Sequence, residues 1–330
     1  MEFIKREELN NLLKFDDIFI KTKRAYQLFS KGETITPPFT VFTIPESKGS
    51  VHFKCGYVPG EQYFAMKYSG AFYGNDKLGK SNFLGLFTVF NAKTGEVEAI
   101  IDDKGHLTDY RTGVAGAIAT SSLANPNSTT VAMIGTGVQA RMQLFALLQV
   151  MPNIKTLQVW GRNEIGMTKY INEVKELYPN LNVIACKNAQ EAVSDADIIY
   201  TVTYSEKPLI KANWLKKGVH ITAVGACEPS MQELDPKILG MADIVCTDSI
   251  EACSKNGELH HALDMGYVKK DDVYELGQII TAKTKRNPNS ITVCDLVGLG
   301  FQDAVIASCV MNEYNKQHNN NENKTEKETK

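Results

Sequence analysis

The feature that most constrains the fold is the stretch VAMIGTGVQA, residues 131–140, which joins a short apolar run to an amphipathic segment. Its first glycine permits a tight strand-to-helix bend, and its second lets a pyrophosphate approach the backbone. The small third residue lets the helix pack closely on the sheet, and the helix N-terminus offers unpaired N–H groups to an anion. The motif predicts dinucleotide contacts at Gly135, Thr136, Gly137, Val138, Gln139 and Ala140.

Strand-like and helix-like segments alternate around this turn. The strand candidates are STTVAMIG, IKTLQVWG, LNVIAC, ADIIYTVT, GVHITAVGA and ADIVCTD. Helical segments such as EIGMTKYINEVKELY separate several of them. This alternation is typical of an α/β fold with a doubly wound parallel sheet, and it predicts such a domain over residues 112–296. A glycine turn that packs tightly without a ligand is the alternative to a nucleotide site.

The end of the second strand indicates which dinucleotide binds. An NAD site usually carries Asp or Glu there, about 20 residues beyond the glycines, to bond the ribose hydroxyls. Gly161 stands at about that place, and Arg162 follows. An arginine without a neighbouring carboxylate suits a 2′-phosphate, so NADP is the predicted cofactor, with NAD as the alternative. Arg162 and Asn163 are its predicted contacts, unless Arg162 is a solvated loop residue.

Residues 1–111 have a different pattern, with the β-rich segments SVHFKCGYV, EQYFAMKYSGAF and FLGLFTVFNAKTGEVEAIID. The turn Lys93-Thr94-Gly95-Glu96 predicts a hairpin, and the whole segment predicts a second, α+β domain. A helix over about 297–316 is expected to join that domain. Residues 317–330 contain no apolar residue and are expected to form a disordered polar tail.

Two basic residues outside the glycine turn are candidates for chemistry. Lys67 lies within the apolar stretch AMKYSG, so it is either an edge residue with its ammonium in water or a buried functional cation. Arg111 stands just before a run of small residues in HLTDYRTGVAGAIAT. Two cations that face a cofactor pocket would hold a substrate carboxylate, which arginine can bind through two hydrogen bonds.

Charge, hydropathy and cysteine content exclude several classes of protein. The net charge of −2 gives no attraction to nucleic acid or anionic lipid. The first residues lack a signal-peptide core and no apolar run is long enough for a bilayer, so we expect a cytoplasmic protein without membrane contact. The seven cysteines contain no Cys-x-x-Cys pair and are expected to be reduced, mostly buried thiols. Adjacent His260 and His261 would point apart on a helix, so no metal site is expected.

Five segments together resemble the ornithine cyclodeaminase/mu-crystallin family. They are LTDYRTGVAGAIATSSLA, VAMIGTGVQARMQL, ADIIYTVTYSEKPLI, GVHITAVGACEPSMQELD and LGQIITAK…ITVCDLVGLGFQDAV. The resemblance implies a Rossmann-type nucleotide domain, a substrate domain that also forms a homodimer interface, and hydride chemistry at the α-carbon of amino or imino acids. Lys67 matches the family's active-site lysine, and Arg111 matches its carboxylate-binding arginine. Further candidate cofactor contacts are Thr201, Val202, Thr203, Val224 and Gly225.

Two positions depart from the family pattern. Cys227 stands where cyclodeaminases carry a catalytic aspartate, and Glu228 follows it. Phe39 stands where the family often carries an arginine. These three residues are the candidate substrate-pocket residues. Cys227 is expected to be a small packing thiol, because no sequence feature indicates a lowered thiol pKa.

The resemblance and its departures predict an NAD(P)-dependent oxidoreductase that acts on the C–N bond of a small amino or imino acid. An imine or ketimine reductase and an amino-acid dehydrogenase both fit this description. One alternative is an ornithine cyclodeaminase in which Glu228 or Asp295 replaces the missing aspartate. The other is a protein that binds NADP and a small ligand without efficient turnover, as mu-crystallin can.

Overall fold

The structure, a computed structural model, describes the backbone of residues 1–282 and 286–328, and side chains within these ranges up to residue 319. The chain divides into two compact units. The first unit is Met1–Arg111 with Leu299–Lys330, and the second is Thr112–Gly298. Within the described ranges, no helix combines the length and the apolar character that a bilayer crossing requires.

The first unit contains a mixed sheet. Its strands are β1 (Glu2–Lys5), β2 (Thr40–Ile44), β3 (Gly49–Gly56), β4 (Tyr63–Phe72), β5 (Phe83–Asn91) and β6 (Val97–Asp102). They lie in the order β1-β6-β5-β4-β3-β2, in which β1 and β6 are parallel and the later pairs are antiparallel. Gly95 has a φ of 76° in the turn between β5 and β6. The predicted hairpin and α+β character are therefore confirmed.

Helices α1 (Leu9–Leu12), α2 (Phe15–Phe29) and α11 (Gly300–Glu328) accompany this sheet. The start of α11 packs closely on β3, since a Cβ on Gly56 would lie 2.6 Å from the backbone N of Phe301. Phe301 also packs edge-to-face on Tyr26 of α2, with ring centroids 5.1 Å apart. These contacts fix the first turn of α11 against β3 and α2.

The C-terminal helix is longer than the sequence predicts. The backbone of residues 317–328, part of the tail expected to be disordered, is helical in α11. Gln317 donates hydrogen bonds to Glu313 Oε1 at 3.0 Å and to the carbonyl of Asn11 at 3.3 Å, and these contacts extend the helix because propagation needs only one bond per added residue. The expected disorder is therefore wrong for the backbone up to residue 328; residues 329 and 330, and the side chains of 320–328, lie outside the described residues.

The second unit contains a parallel sheet. Its strands are β7 (Thr130–Ile134), β8 (Thr156–Trp160), β9 (Asn182–Ala185), β10 (Ile198–Thr201), β12 (His220–Ala223), β14 (Ile244–Thr247), β15 (Val273–Glu275) and β16 (Thr292–Asp295). The order is β15-β14-β16-β12-β10-β7-β8-β9, and β11 (Glu206–Ile210) pairs with β13 (Gln232–Leu234) beside it. The chain reverses its direction of travel across the sheet between β7 and β10, which confirms the doubly wound Rossmann-type fold.

Helices cover both faces of this sheet. They are α3 (His106–Leu123), in which the division between the units falls, α4 (Val138–Val150), α5 (Glu164–Leu177), α6 (Ala189–Val193), α7 (Lys237–Met241), α8 (Ile250–Cys253), α9 (Gly257–Asp264) and α10 (Leu276–Ala282). Val131 and Met133 of β7 lie in one apolar cluster, and Ala132 and Ile134 lie in the other. The strand is buried on both faces, which explains its continuous apolar run.

Candidate functional site

Lys67 lies in β4, an interior strand of the first unit's sheet. Tyr63, Ala65 and Lys67 alternate along β4 on its buried face, because side chains two positions apart share a face of a sheet. Lys67 is only 1% exposed, and its ammonium donates a hydrogen bond to Asp303 Oδ1 at 2.9 Å. Of the two environments left open by the sequence, the structure therefore gives Lys67 the buried one.

Arg111 and Lys67 share a single carboxylate oxygen. Arg111 Nε donates to Asp303 Oδ1 at 3.1 Å, and Arg111 Nη1 donates to Gln302 Oε1 at 2.9 Å. Gln302 in turn donates from Nε2 to the hydroxyl of Tyr26 at 2.6 Å. The first turn of α11 thus orients both basic side chains, which come from β4 and α3.

Asp303 and Gln302 are site residues that the sequence reasoning missed. Both are fully buried, and they stand next to each other at the start of the apolar stretch FQDAVIASCV. A carboxylate and an amide in an otherwise apolar helix are the signal that would have found them, because such groups are rarely buried without a partner. Among the described residues, Asp303 Oδ2 has no hydrogen-bond partner.

The electrostatics of this cluster bring the pKa of Lys67 close to neutral pH. Burial lowers the pKa of Lys67 to about 7, against the attraction of Asp303, and the positive charges of Arg111 and Lys54 lower it further. The pKa of Asp303 is lowered by Lys67, Arg111 and Lys54, although its burial acts in the opposite direction. Lys67 can therefore change protonation state near neutral pH, whereas Asp303 stays ionised.

A third basic residue borders the cluster. Lys54 of β3 stands directly opposite Lys67 in the antiparallel register. Its ammonium lies 4.6 Å from the centre of the Phe39 ring, a cation–π contact. Phe39, the candidate pocket residue, is half-buried just before β2. Burial and the charges of Lys54 and Lys67 lower the pKa of neighbouring His52 to about 4, so this imidazole is neutral at pH 7.

This arrangement can bind an anion. When Lys67 is protonated, it and Arg111 place two positive charges against the one carboxylate of Asp303. A substrate carboxylate would balance the excess charge, and Arg111 would contribute the planar guanidinium that carboxylates prefer. Lys67, in its neutral form, can also accept a proton from a substrate nitrogen or a water molecule.

The glycine turn of the second unit has the geometry that a dinucleotide requires. Gly135 has a φ of +114°, and a Cβ there would lie 2.8 Å from the carbonyl oxygen of Val202. Its backbone N–H donates to the carbonyl of Trp160 at 2.9 Å. A Cβ on Gly137 would meet no described atom within 4 Å, so the backbone before α4 faces open space. Only glycine fits the first position, and the second leaves room for phosphates at the helix N-terminus.

Side chains of α4 and α5 stabilise the rest of the predicted turn. Arg141 donates from Nη1 to the carbonyl oxygens of Thr136 and Gly137 at 2.8 and 2.9 Å. Ala140 is fully buried, and its carbonyl accepts the hydroxyl of Tyr170 at 3.1 Å. Val138 and Gln139, in the first turn of α4, are exposed and half-buried, respectively. These contacts fix the backbone of the turn and of the first residues of α4.

The end of β8 packs closely on the glycine turn. A Cβ on Gly161 would lie 2.9 Å from Cγ2 of Thr136, so a side chain at this position would require Thr136 to shift. Arg162 is exposed. Asn163 is the N-cap of α5, and its Oδ1 accepts the N–H of Gly166 at 2.9 Å. Arg162 is thus open to solvent beside the turn, while Asn163 already has a structural hydrogen bond.

The loops after β10 and β12 carry the remaining candidate cofactor contacts. Thr201 is fully buried, and its carbonyl accepts the N–H groups of Val224 and Gly225 at 3.0 and 3.2 Å. Val202 and Thr203 are half-buried in the segment that lies against Gly135. Both loops therefore stand at the carboxyl ends of the strands, where ligands bind in open α/β sheets.

The structure corrects the expectation for one cysteine. The seven cysteines all lie within the described residues and none forms a disulfide, but Cys227 is exposed rather than buried. The chain leaves the sheet after β12, and Ala226 takes the buried position beside it. Glu228 is half-buried in the same loop, and its backbone carbonyl accepts the N–H of Met231 at 3.1 Å.

Two further groups have structural partners. Asp295 is fully buried and its Oδ2 accepts the N–H of Leu259 at 2.9 Å, so it caps α9. His261 Nε2 contacts the carbonyl of Met231 at 2.8 Å, and His260 Nε2 lies 3.7 Å from Asp264. Within the described residues, no group of three His, Cys, Asp or Glu side chains is placed to hold a metal ion.

Comparison with known proteins agrees with this geometry. The chain is 35% identical over 313 residues to an uncharacterized cyclodeaminase of Sinorhizobium fredii, which covers 93% of this chain and 94% of that protein. The structure is similar to that of Thermococcus litoralis Delta(1)-pyrroline-2-carboxylate reductase in complex with NADH and L-proline, with a TM-score of 0.90 and 26% identity over 96% of this chain and 98% of that one. It is also similar to an archaeal alanine dehydrogenase dimer with bound NAD, with a TM-score of 0.88 and 29% identity over 96% and 97% of the two chains.

The family itself follows from the whole length of the sequence. The sequence pattern of the ornithine cyclodeaminase/mu-crystallin family matches residues 2–318, which include the glycine turn, Lys67, Arg111 and the start of α11. On this match and the similarity to the Sinorhizobium protein, the chain belongs to the ornithine cyclodeaminase/mu-crystallin family.

Proposed function

We propose that the chain is an NAD(P)-dependent oxidoreductase acting on the C–N bond of a small amino or imino acid, as an imine or ketimine reductase or an amino-acid dehydrogenase. The observation that carries this proposal is the buried trio in which Lys67 and Arg111 share Asp303 Oδ1. Two relatives support it, since one structure is a reductase with NADH and L-proline and another is an alanine dehydrogenase with NAD.

The residues of the first unit have distinct roles in this reaction. Arg111 and Lys67 bind the substrate carboxylate, and their charges keep a conjugated C=N carbon electrophilic. Asp303 keeps both cations in place. Lys67 exchanges a proton with the substrate nitrogen or with water, because its pKa of about 7 makes both protonation states accessible. Phe39, which is apolar and in cation–π contact with Lys54, favours a substrate side chain less polar than the ornithine amine.

The proposed cofactor is NADP, with NAD as the alternative. The nicotinamide supplies or accepts the hydride. The phosphates would contact the backbone at Gly135, Thr136 and Gly137. The positive φ of Gly135 and the open space beside Gly137 support this assignment. Gly161 leaves no carboxylate to bond a ribose 2′-hydroxyl, and exposed Arg162 beside it suits a 2′-phosphate. The homodimer and the cytoplasmic location expected from the sequence belong to the same proposal, and the dimeric alanine dehydrogenase supports the former.

The test follows the absorbance of NADPH and NADH with purified protein and a cyclic ketimine carboxylate, and then with pyruvate plus ammonia. We expect oxidation of NADPH that falls at least about 100-fold in Lys67→Ala and in Arg111→Ala, because general acid–base groups contribute roughly 10²–10⁴-fold. Lys93→Ala is the matched control, since this lysine is exposed in the β5–β6 turn.

The other possible functions give different results in the same experiment. Turnover of ornithine to proline with release of ammonia and no net change in the cofactor would replace the proposal by a cyclodeaminase. Binding of NADPH and a small ligand without oxidation by any of these acceptors would replace it by a binding protein.

A further inference from the structure

We infer that Glu233 is a positioning residue of the dinucleotide site, whose ionised carboxylate holds together the loops after β10 and β12 and whose protonation weakens dinucleotide binding. This inference rests on the proposed function, because it takes those loops to border the cofactor. Glu233 itself would touch neither the cofactor nor the substrate. It would act through Thr203 and Gly225.

The contacts of the carboxylate define this role. Glu233 lies in β13 and is fully buried. Its Oε1 accepts both the backbone N–H and the hydroxyl of Thr203, at 2.5 and 2.6 Å. Its Oε2 accepts the backbone N–H of Gly225 at 2.9 Å. One carboxylate therefore satisfies three donors on two segments that follow different strands.

The loops that Glu233 joins are tightly packed against each other and against the glycine turn. A Cβ on Gly225 would lie 2.5 Å from the backbone N of Thr203 and 2.6 Å from Cδ of Glu233. A Cβ on Gly135 would lie 2.8 Å from the carbonyl oxygen of Val202, in the same loop as Thr203. These segments are in close contact. A change in the hydrogen bonds of the Glu233 carboxylate would therefore shift the backbone of the glycine turn, which would face the phosphates.

The backbone of Glu233 is fixed by a second acidic residue. Glu258 of α9 accepts the N–H of Glu233 at 2.7 Å and that of Leu234 at 3.0 Å. The carboxyls of Glu258 and Asp295 are the titratable groups that act on Glu233 from α9 and from the end of β16. His261, also on α9, contacts the backbone carbonyl of Met231. Burial and mutual repulsion raise the pKa values of Glu258 and Asp295.

The pKa of the Glu233 carboxyl lies near neutral pH. Burial raises its pKa to about 7, although the hydrogen bonds from Thr203 and Gly225 act in the opposite direction. The ionised carboxylate accepts every donor directed at it, whereas the protonated carboxyl carries a hydrogen that displaces at least one of them. The affinity for the dinucleotide should therefore be highest above this pKa and should decrease as the pH falls through it.

The experiment measures the Kd for NADH by quenching of tryptophan fluorescence at about pH 6 and about pH 8.5, which bracket the pKa of about 7. NADH is the probe because it lacks a 2′-phosphate that would itself titrate, and NADPH is measured in parallel. We expect the wild-type protein to bind NADH at least about fivefold more weakly at the lower pH, the small end of typical couplings between sites. Glu233→Gln should bind at both pH values with the weak affinity of the wild-type protein at the lower pH.

Two further variants separate this role from a general loss of structure. Glu206→Gln removes an exposed carboxylate from β11, which pairs with β13 beside Gln232, and should retain the pH dependence of the wild-type protein. Thr203→Val removes one donor to the ionised carboxylate, so the midpoint of the pH dependence should move to higher pH.

The outcomes distinguish the inference from the proposal on which it rests. Equal Kd values at the two pH values, or a pH dependence that persists in Glu233→Gln, would overturn the inference and leave the proposed function standing. Failure of the wild-type protein to bind NADH and NADPH at either pH would overturn the proposed function, and the inference with it.

Discussion

Replacement of Asp303 by Asn is expected to cost more stability than its small change in shape suggests. The side chain keeps its volume, but Lys67 and Arg111 lose the one carboxylate oxygen to which both donate, at 2.9 and 3.1 Å. All three side chains are at least nine-tenths buried. Removing one partner from a buried ion pair typically costs about 3–5 kcal/mol, because an uncompensated charge stays out of water.

The same structure predicts how this cost depends on pH. Below pH 7 Lys67 is protonated in the wild-type protein, and Asp303→Asn forces it to lose its proton or remain unpaired. Above pH 7 Lys67 is largely neutral in both proteins, so mainly the unpaired Arg111 contributes. The loss should therefore reach the full range of about 3–5 kcal/mol near pH 6 and be smaller near pH 8.5.

Urea unfolding followed by circular dichroism, at about pH 6 and about pH 8.5, measures both quantities as changes in the free energy of unfolding. Glu7→Gln is the matched control, because its ion pair with Lys104 is solvent-exposed, with 3.8 Å between the charged atoms. Such a pair contributes less than about 1 kcal/mol. If Asp303→Asn costs no more than the control near pH 6, the buried ionised trio does not exist and the reasoning fails.

Three other changes test the remaining parts of the site. The rate of NADPH oxidation should depend on the protonation of a group with a pKa of about 7. Asp303→Asn should move this transition in the pH–rate profile to lower pH, because Asp303 raises the pKa of Lys67. If the transition stays in place, it belongs to another group. Gly135→Ala should lower the free energy of unfolding in urea by about 1–3 kcal/mol and weaken NADH binding. Gly95→Ala is the control, because Gly95 also has positive φ but no described atom lies within 4 Å of the added carbon, and it should leave NADH binding intact. Arg162→Ala should raise the Kd for NADPH by about tenfold and leave the Kd for NADH unchanged, since about 1.4 kcal/mol from one exposed phosphate contact corresponds to that factor; equal effects on both would remove Arg162 from the 2′-phosphate.

Local features of the fold could be predicted from the sequence. The glycine turn and the β5–β6 hairpin depend on residues close together in the chain, so their patterns were sufficient. The alternating strands and helices likewise identified the doubly wound sheet. The strands β15 and β16 are short and were not separated from their surroundings.

The candidate site depends on contacts that the sequence does not show. Whether Lys67 was an edge or an interior residue depended on which strands pair with β4, and the pattern of one strand carries no such information. Asp303 was missed because it lies 236 positions from Lys67 and reaches it only through the packing of α11 on β3. Cys227 was expected to be a small packing thiol because no sequence feature indicated a lowered thiol pKa, but the path of the loop after β12 decides its exposure.

The contact between Gly161 and Thr136 has a consequence for engineering and for evolution. Introducing aspartate at position 161 is the obvious route to an enzyme that prefers NAD, yet the added carbon would lie 2.9 Å from the methyl group of Thr136. The threonine side chain would have to turn away or become smaller to admit it. A new side chain at position 161 is therefore coupled, in engineering as in evolution, to a compensating change at position 136.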